Sequence, residues 1–238
     1  MRNVPALARR EIAAIFLTPL AYVVLTLFLF FSGFCFYLVI AETKQAVMAP
    51  VFNVVISFLL LVATPLLTMR LMSEEYRSGT IESLMTAPVT DAEVVLGKFL
   101  GTLCFFLVML GSTVAYVVIL MFLGKPDLGP ICAAYLGLAL MGAQFIALGL
   151  FCSALTRSQL VAALAAAVLL LTIWIVGSVG DSMGGQWGPL LRYVGTQEHV
   201  QAFASGRVPF RDAFYFLSLT AFWLFLSVRA VESRRWRS

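Results

Sequence analysis

Six continuous apolar runs, each about 20 residues long, divide this chain of 238 residues and constrain its fold more than any single motif does. A helix of that length reaches across the ~30 Å hydrocarbon core of a bilayer. In lipid every backbone N–H and C=O must be bonded within the protein, so only helices and closed barrels cross it. Barrel strands alternate apolar and polar residues over about ten positions, and the runs here do not alternate. Charged residues make up 12% of the chain and gather between the runs, about half the ~25% of a soluble domain. The sequence thus specifies an all-α integral membrane protein with six transmembrane helices, expected at 20–40, 51–69, 99–123, 131–155, 160–179 and 213–228.

The flanking segments complete a single membrane domain. Residues 1–18 set Arg9, Arg10 and Glu11 against Leu7, Ile12, Ile15 and Phe16, the pattern of an amphipathic helix lying on a membrane surface. Pro19 then allows a bend into the first span, which reads as retained rather than as a cleaved signal, for it ends without a small-residue cleavage site. Six spans put both termini on one side. That face holds eleven of the sixteen basic residues, among them Arg70, Arg77, Lys98 and Arg157, and the other face holds five. The positive-inside rule therefore places both termini in the cytoplasm. The basic residues mark helix ends rather than a stripe with interleaved aromatics, so no nucleic acid is expected as a partner.

No Asp, Glu, Lys, Arg or His falls deep inside an expected span, which counts against a proton-coupled carrier and an intramembrane metalloprotease. The single histidine, His199, lies in the segment 180–212 and reads as a surface residue before it reads as a catalyst. Cys35, Cys104, Cys132 and Cys152 all fall inside spans without CxxC spacing and read as small apolar fillers. Small residues recur at four-residue spacing, as at Gly97 and Gly101, Ala139, Ala143 and Ala147, and Ala162 and Ala166. Such stripes let helix backbones approach closely, within one subunit or between two.

The most informative polar stretch is 70–98. Gly79 breaks the helix continuing from the second span, and Thr80 can cap a short helix with Ile81, Leu84 and Met85 on one face and Glu82 elsewhere. Pro88 ends it, and Thr90 with Glu93 forms a capping box that starts the third helix before the apolar run begins. Such an element suits a partner that pushes on the membrane helices. It equally suits a surface helix that only satisfies its own chain ends, and spacing alone leaves both open.

The run Glu74-Glu-Tyr-Arg-Ser-Gly-Thr-Ile-Glu-Ser-Leu-Met-Thr-Ala-Pro88, followed by Gly97-Lys98, resembles the signature between the second and third spans of ABC-2 type transporter permeases. The stretch Glu198–Gly206, Arg211-Asp212 and Glu232–Trp236 resembles the gliding-motility-type (Gld-type) branch. The resemblance covers essentially the whole chain. It implies a permease subunit, an exporter by analogy, paired with a second permease copy or a different membrane subunit. A separate ATP-binding subunit would carry ATP and Mg, leaving this chain without catalytic, cofactor or metal residues. In keeping with that division no GxxxxGK[ST] occurs. The resemblance further implies a coupling helix between spans two and three. Glu74, Glu75, Arg77 and Glu82 would supply polar contacts to the ATPase, Ile81, Leu84 and Met85 apolar anchors, and Gly79, Thr80 and Pro88 the shape. Arg9 and Arg10 would serve as a second contact or a lever on the membrane surface. The outer segment 180–212 is an ordinary interfacial loop or, as the resemblance suggests, short re-entrant helices forming an outer gate with Leu190, Leu191, Tyr193, Val200 and Phe203. Two rivals stay open: a non-transporting anchor or mechanical module that recruits an ATPase, and an intramembrane lipid-modifying enzyme, for which no convergent His, Asp and Ser set is evident.

Overall fold

The computed structural model describes residues 3–43, 48, 50–52, 57–79, 89–124, 126–182 and 187–235. Among these residues the secondary structure is helical throughout, and six helices are long and apolar enough to cross a membrane.

The first helix, α1 (Val4–Leu17), carries a proline in its opening turn, where a missing N–H costs nothing. It stops at Thr18, whose backbone is extended, as the steric demand of the following proline requires. The Thr18 hydroxyl returns to the Ala14 carbonyl at 2.8 Å. After this elbow α2 (Pro19–Thr43) forms the first span. The second span is broken in two, α3 (Ser57–Thr68) and α4 (Ser73–Ser78), joined by a turn at 69–72. Pro65 lies inside α3 and removes a ladder donor there. Nearby, the Thr64 and Thr68 hydroxyls bond back to the Leu60 and Thr64 carbonyls at 2.7 and 2.9 Å. Gly79 closes α4 in the left-handed conformation, φ +73°, which glycine adopts without a Cβ penalty.

The third span begins with α5 (Asp91–Ser112), started by the Thr90–Glu93 capping box, and continues as α6 (Val114–Leu123). At the break the Thr113 hydroxyl bonds the Leu110 carbonyl at 2.6 Å and the Tyr135 hydroxyl at 2.9 Å. The fourth span, α7 (Leu128–Leu155), is the central post: 72% of its most apolar window is buried, against 22% for the first and fifth spans. It gains that position through glycines. A Cβ at Gly142 would lie 2.0 Å from the Phe106 ring, and one at Gly149 2.1 Å from the Thr68 hydroxyl. The chain ends with α8 (Gln159–Ser182), the short α9 (Gly188–Val194) and α10 (Thr196–Ala204), and α11 (Phe210–Arg235). Helix α11 lies along α7, and the core fills the space between α7, α3, α5 and α11 with residues such as Phe106, Phe145, Met109 and Phe216.

Several limits differ from the sequence reading, as where the fourth span starts at Leu128 rather than at 131. The last helix runs from Phe210 to Arg235 rather than over 213–228, because its polar final turns pack at the end of the bundle instead of in lipid. The second span breaks at 69–72, ahead of the expected break at Gly79. Large apolar side chains of α2, α6 and α8, such as Phe30, Phe122 and Leu164, remain exposed. In water so large an apolar surface would be a liability; here it meets lipid or another apolar subunit.

Candidate functional site: a charged hub at the end that holds both termini

The short helix α4 is held from three directions at the end of the bundle where α1 begins and α11 finishes. Toward α5 and α1, the Glu75 carboxylate meets Lys98 Nζ at 2.8 Å, and the same ammonium reaches Glu11 at 3.3 Å. Arg10 lies 3.6 Å from Glu75 on the solvent side. The Lys98 side chain is only 6% exposed and its two carboxylates 13% and 17%. A buried ammonium of this kind is tolerable only with paired charges. Toward α7, Ser153 plugs the helix break. Its hydroxyl oxygen accepts from the backbone N–H groups of Met72 and Ser73 at 3.0 and 3.1 Å and donates to the Met69 carbonyl at 3.0 Å. Toward α11, the Arg234 guanidinium lies 4.5 Å over the Tyr76 ring and donates to the Leu155 carbonyl at the end of α7.

Close backbone contact carries the same junction. Helix α1 lies along the first turns of α5, where Cβ atoms at Gly97 and Gly101 would each come within 2.6 Å of the Cβ atoms of Leu7 and Glu11. The Gly97/Gly101 stripe therefore works within one subunit. Asn3 at the start of α1 faces the Glu93 carboxylate. The Glu75–Lys98–Glu11 ion pairs and the α1–α5 packing thus join α1, α4 and the start of α5 at one end of the bundle.

The sequence-derived candidates divide accordingly. Glu74 is paired with Arg70 through two hydrogen bonds of 2.8 and 3.1 Å and remains 45% exposed. Arg77 and Gly79 are exposed at the end of α4, and Arg9 and Arg10 on the outer side of α1. Glu75, expected among the contacts to a partner, instead turns inward to Lys98. Thr80, Ile81, Glu82, Leu84, Met85 and Pro88 lie outside the described residues. Residues that the sequence reading did not assign to the site are Glu11, Lys98, Ser153 and Arg234. The available signal was a lysine between Gly97 and Gly101, a charge placed on a face that small residues bring against another helix.

At the opposite end, α9 and α10 fold back against α8 and α7. The expected loop residues split there: Leu190 and Tyr193 are exposed, Leu191 is half-buried, and Val200 and Phe203 are fully in the core. His199 is not the surface residue expected; it is 5% exposed. Its Nδ1 pairs with Asp212 at 2.8 Å, its Nε2 donates to the Tyr193 carbonyl at 2.9 Å, and its ring stacks on Tyr215 at 4.0 Å. Nδ1 thus ties α10 to α11 and Nε2 ties it to α9, so both ring nitrogens are committed to structural bonds.

This arrangement defines a class, a multi-pass helical membrane protein with a buried charged hub at one end. A family model described as ABC-2 family transporter protein matches residues 17–203. The chain belongs to the ABC-2 family and is a membrane permease subunit of an ABC transporter. No curated protein matches it.

Proposed function

We propose that the chain is the permease of an ATP-driven exporter of a bacterial inner membrane, with both termini and the charged hub in the cytoplasm. The orientation is supported by the excess of basic residues at that end. A separate ATP-binding subunit, carrying ATP and Mg, docks on the segment 80–88 that continues from Gly79. Glu82 supplies the polar contact, and Ile81, Leu84 and Met85 insert as apolar anchors, with Thr80 and Pro88 setting the limits of the element. Glu74 and Arg77, exposed on α4, form the rim of the docking surface. The single observation that supports this reading is the Glu75–Lys98–Glu11 network, which couples α4 to α1 and α5. Movement imposed on 80–88 therefore enters two spans at once.

A second permease copy or a different membrane subunit completes the pore along the exposed apolar surface. Within the family we assign the chain to the Gld-type branch on the resemblance of Glu198–Gly206 and Arg211-Asp212, and Leu190 and Tyr193 are the exposed candidates for an outer gate. The test is ATPase stimulation and complex assembly in the reconstituted transporter. Glu82→Lys with Leu84→Asp abolishes both on this account, and survival of both refutes the docking assignment.

A further inference from the structure

At the end of the bundle opposite the hub, His199 of α10 bridges two other helices. Its Nε2 lies 2.9 Å from the Tyr193 carbonyl of α9, and its Nδ1 lies 2.8 Å from a carboxylate oxygen of Asp212 on α11. The final carbonyls of a helix have no donor within it. In α9 those of Tyr193 and Val194 are met by His199 and by the Tyr215 hydroxyl, the latter at 2.6 Å. His199 is 5% exposed and its ring stacks on Tyr215 at 4.0 Å, which fixes the ring's orientation.

Together these two bonds need one proton more than a neutral imidazole beside an ionised carboxylate provides. A carbonyl only accepts, so Nε2 must carry a hydrogen. A neutral imidazole has a single N–H, and with it on Nε2 the Nδ1 lone pair would face the Asp212 carboxylate. Both bonds are made only when a second proton lies between Nδ1 and Asp212. Without it the remaining hydrogen settles on Nδ1, toward the negative charge, and the bond to Tyr193 is the one lost. No neighbour replaces that proton. Tyr193 and Tyr215 are the other titratable side chains against the ring, Arg211 lies 4.5 Å over the Tyr193 ring, Arg192 is paired with Glu198 at 3.1 Å, and α7 brings no charged residue.

We propose that the His199–Asp212 pair is a proton-operated latch: the shared proton fastens α9 to α10, and its loss releases the end of α9 while α10 stays on α11. Asp212 keeps 13% side-chain exposure, which gives the proton a path to solvent. The latch is closed at low pH and opens as pH rises. Because α9 carries the exposed Leu190 and Tyr193, the position of that surface then depends on the pH at this end of the bundle. The inference rests on the bond geometry and not on the ATPase partnership.

The chain contains one histidine, so isotopic nitrogen labelling of histidine in the full-length chain, purified into nanodiscs without a histidine tag, reports this ring alone. Magnetic resonance spectra are taken at about pH 5.5 and about pH 8.5, on either side of the ordinary imidazole value of about 6.5. Nε2 should carry hydrogen at the lower pH and lose it at the higher, where Nδ1 keeps it. Amide exchange over 190–195, corrected for the intrinsic effect of pH, should rise about tenfold at the higher pH with α7 unchanged. Asp212→Asn offers a side-chain N–H to Nδ1, so a neutral ring keeps its hydrogen on Nε2 and α9 stays protected at both pH values. An Nε2 in the same state at both pH values overturns the proposal. So does α9 exchange that is unchanged or matched by an equal rise in α7, or a pH response that persists in Asp212→Asn.

Discussion

Replacing Lys98 by methionine tests whether the hub is a mechanical unit. The ammonium is 2.8 Å from Glu75 and 3.3 Å from Glu11, and all three side chains are at least four-fifths buried. Removing one member of a buried ion pair costs roughly 3–5 kcal/mol, because the opposite charge stays behind without compensation. Arg10, mostly exposed and 3.6 Å from Glu75, returns about 0.2–1 kcal/mol as a surface pair. The net loss of roughly 2–5 kcal/mol falls on the junction of α1 with α4 and α5, leaving α1 held by its backbone packing on Gly97 and Gly101. At 1.4 kcal/mol per factor of ten, local opening of α1 becomes roughly 30- to 3,000-fold more frequent. Hydrogen–deuterium exchange in nanodiscs reads this directly as lost protection over the α1 amides, with α7 unchanged. The double variant Lys98→Met, Glu75→Leu should recover part of the protection, because it removes one stranded carboxylate. Unchanged exchange across α1 in Lys98→Met refutes the reasoning.

Three other outcomes follow from the packing. Ser153→Ala strands the backbone donors of Met72 and Ser73, at about 1–3 kcal/mol; a lowered thermal midpoint and faster exchange over 69–78 are expected, and Ser153→Thr should lose less. Gly149→Leu drives a side chain into Thr68 and should lower the thermal midpoint through overpacking of about 1–3 kcal/mol or more. His199→Phe keeps a ring against Tyr215 but leaves Asp212 without its partner; it should increase exchange over 188–204 while leaving the hub protected.

The architecture was legible because the bilayer imposes it. Six runs of the right length, a proline elbow at Thr18–Pro19 and the Thr90–Glu93 capping box are local signals, and each has a local physical cause. The hub was only half legible. Glu74, Glu75 and Arg77 stand in a recognisable sequence, but the direction each faces depends on the break at 69–72. That break is held by Ser153, more than 80 positions away for its Met69 and Met72 contacts. A serine within an apolar run gives no hint of that partner. His199 was misjudged for the same reason: its burial comes from Asp212 and Tyr215 on another helix, and a lone polar residue in a connecting segment looks exposed until its neighbours are known.

The most direct test of the central claim is affinity purification of the tagged, detergent-solubilised chain from its native membrane. Co-purifying proteins are identified and ATPase activity is measured, with Glu82→Lys, Leu84→Asp in parallel. The account predicts that a P-loop ATPase accompanies the wild-type chain and is lost from the variant. Purification without any ATPase, or equal recovery with both chains, would contradict it.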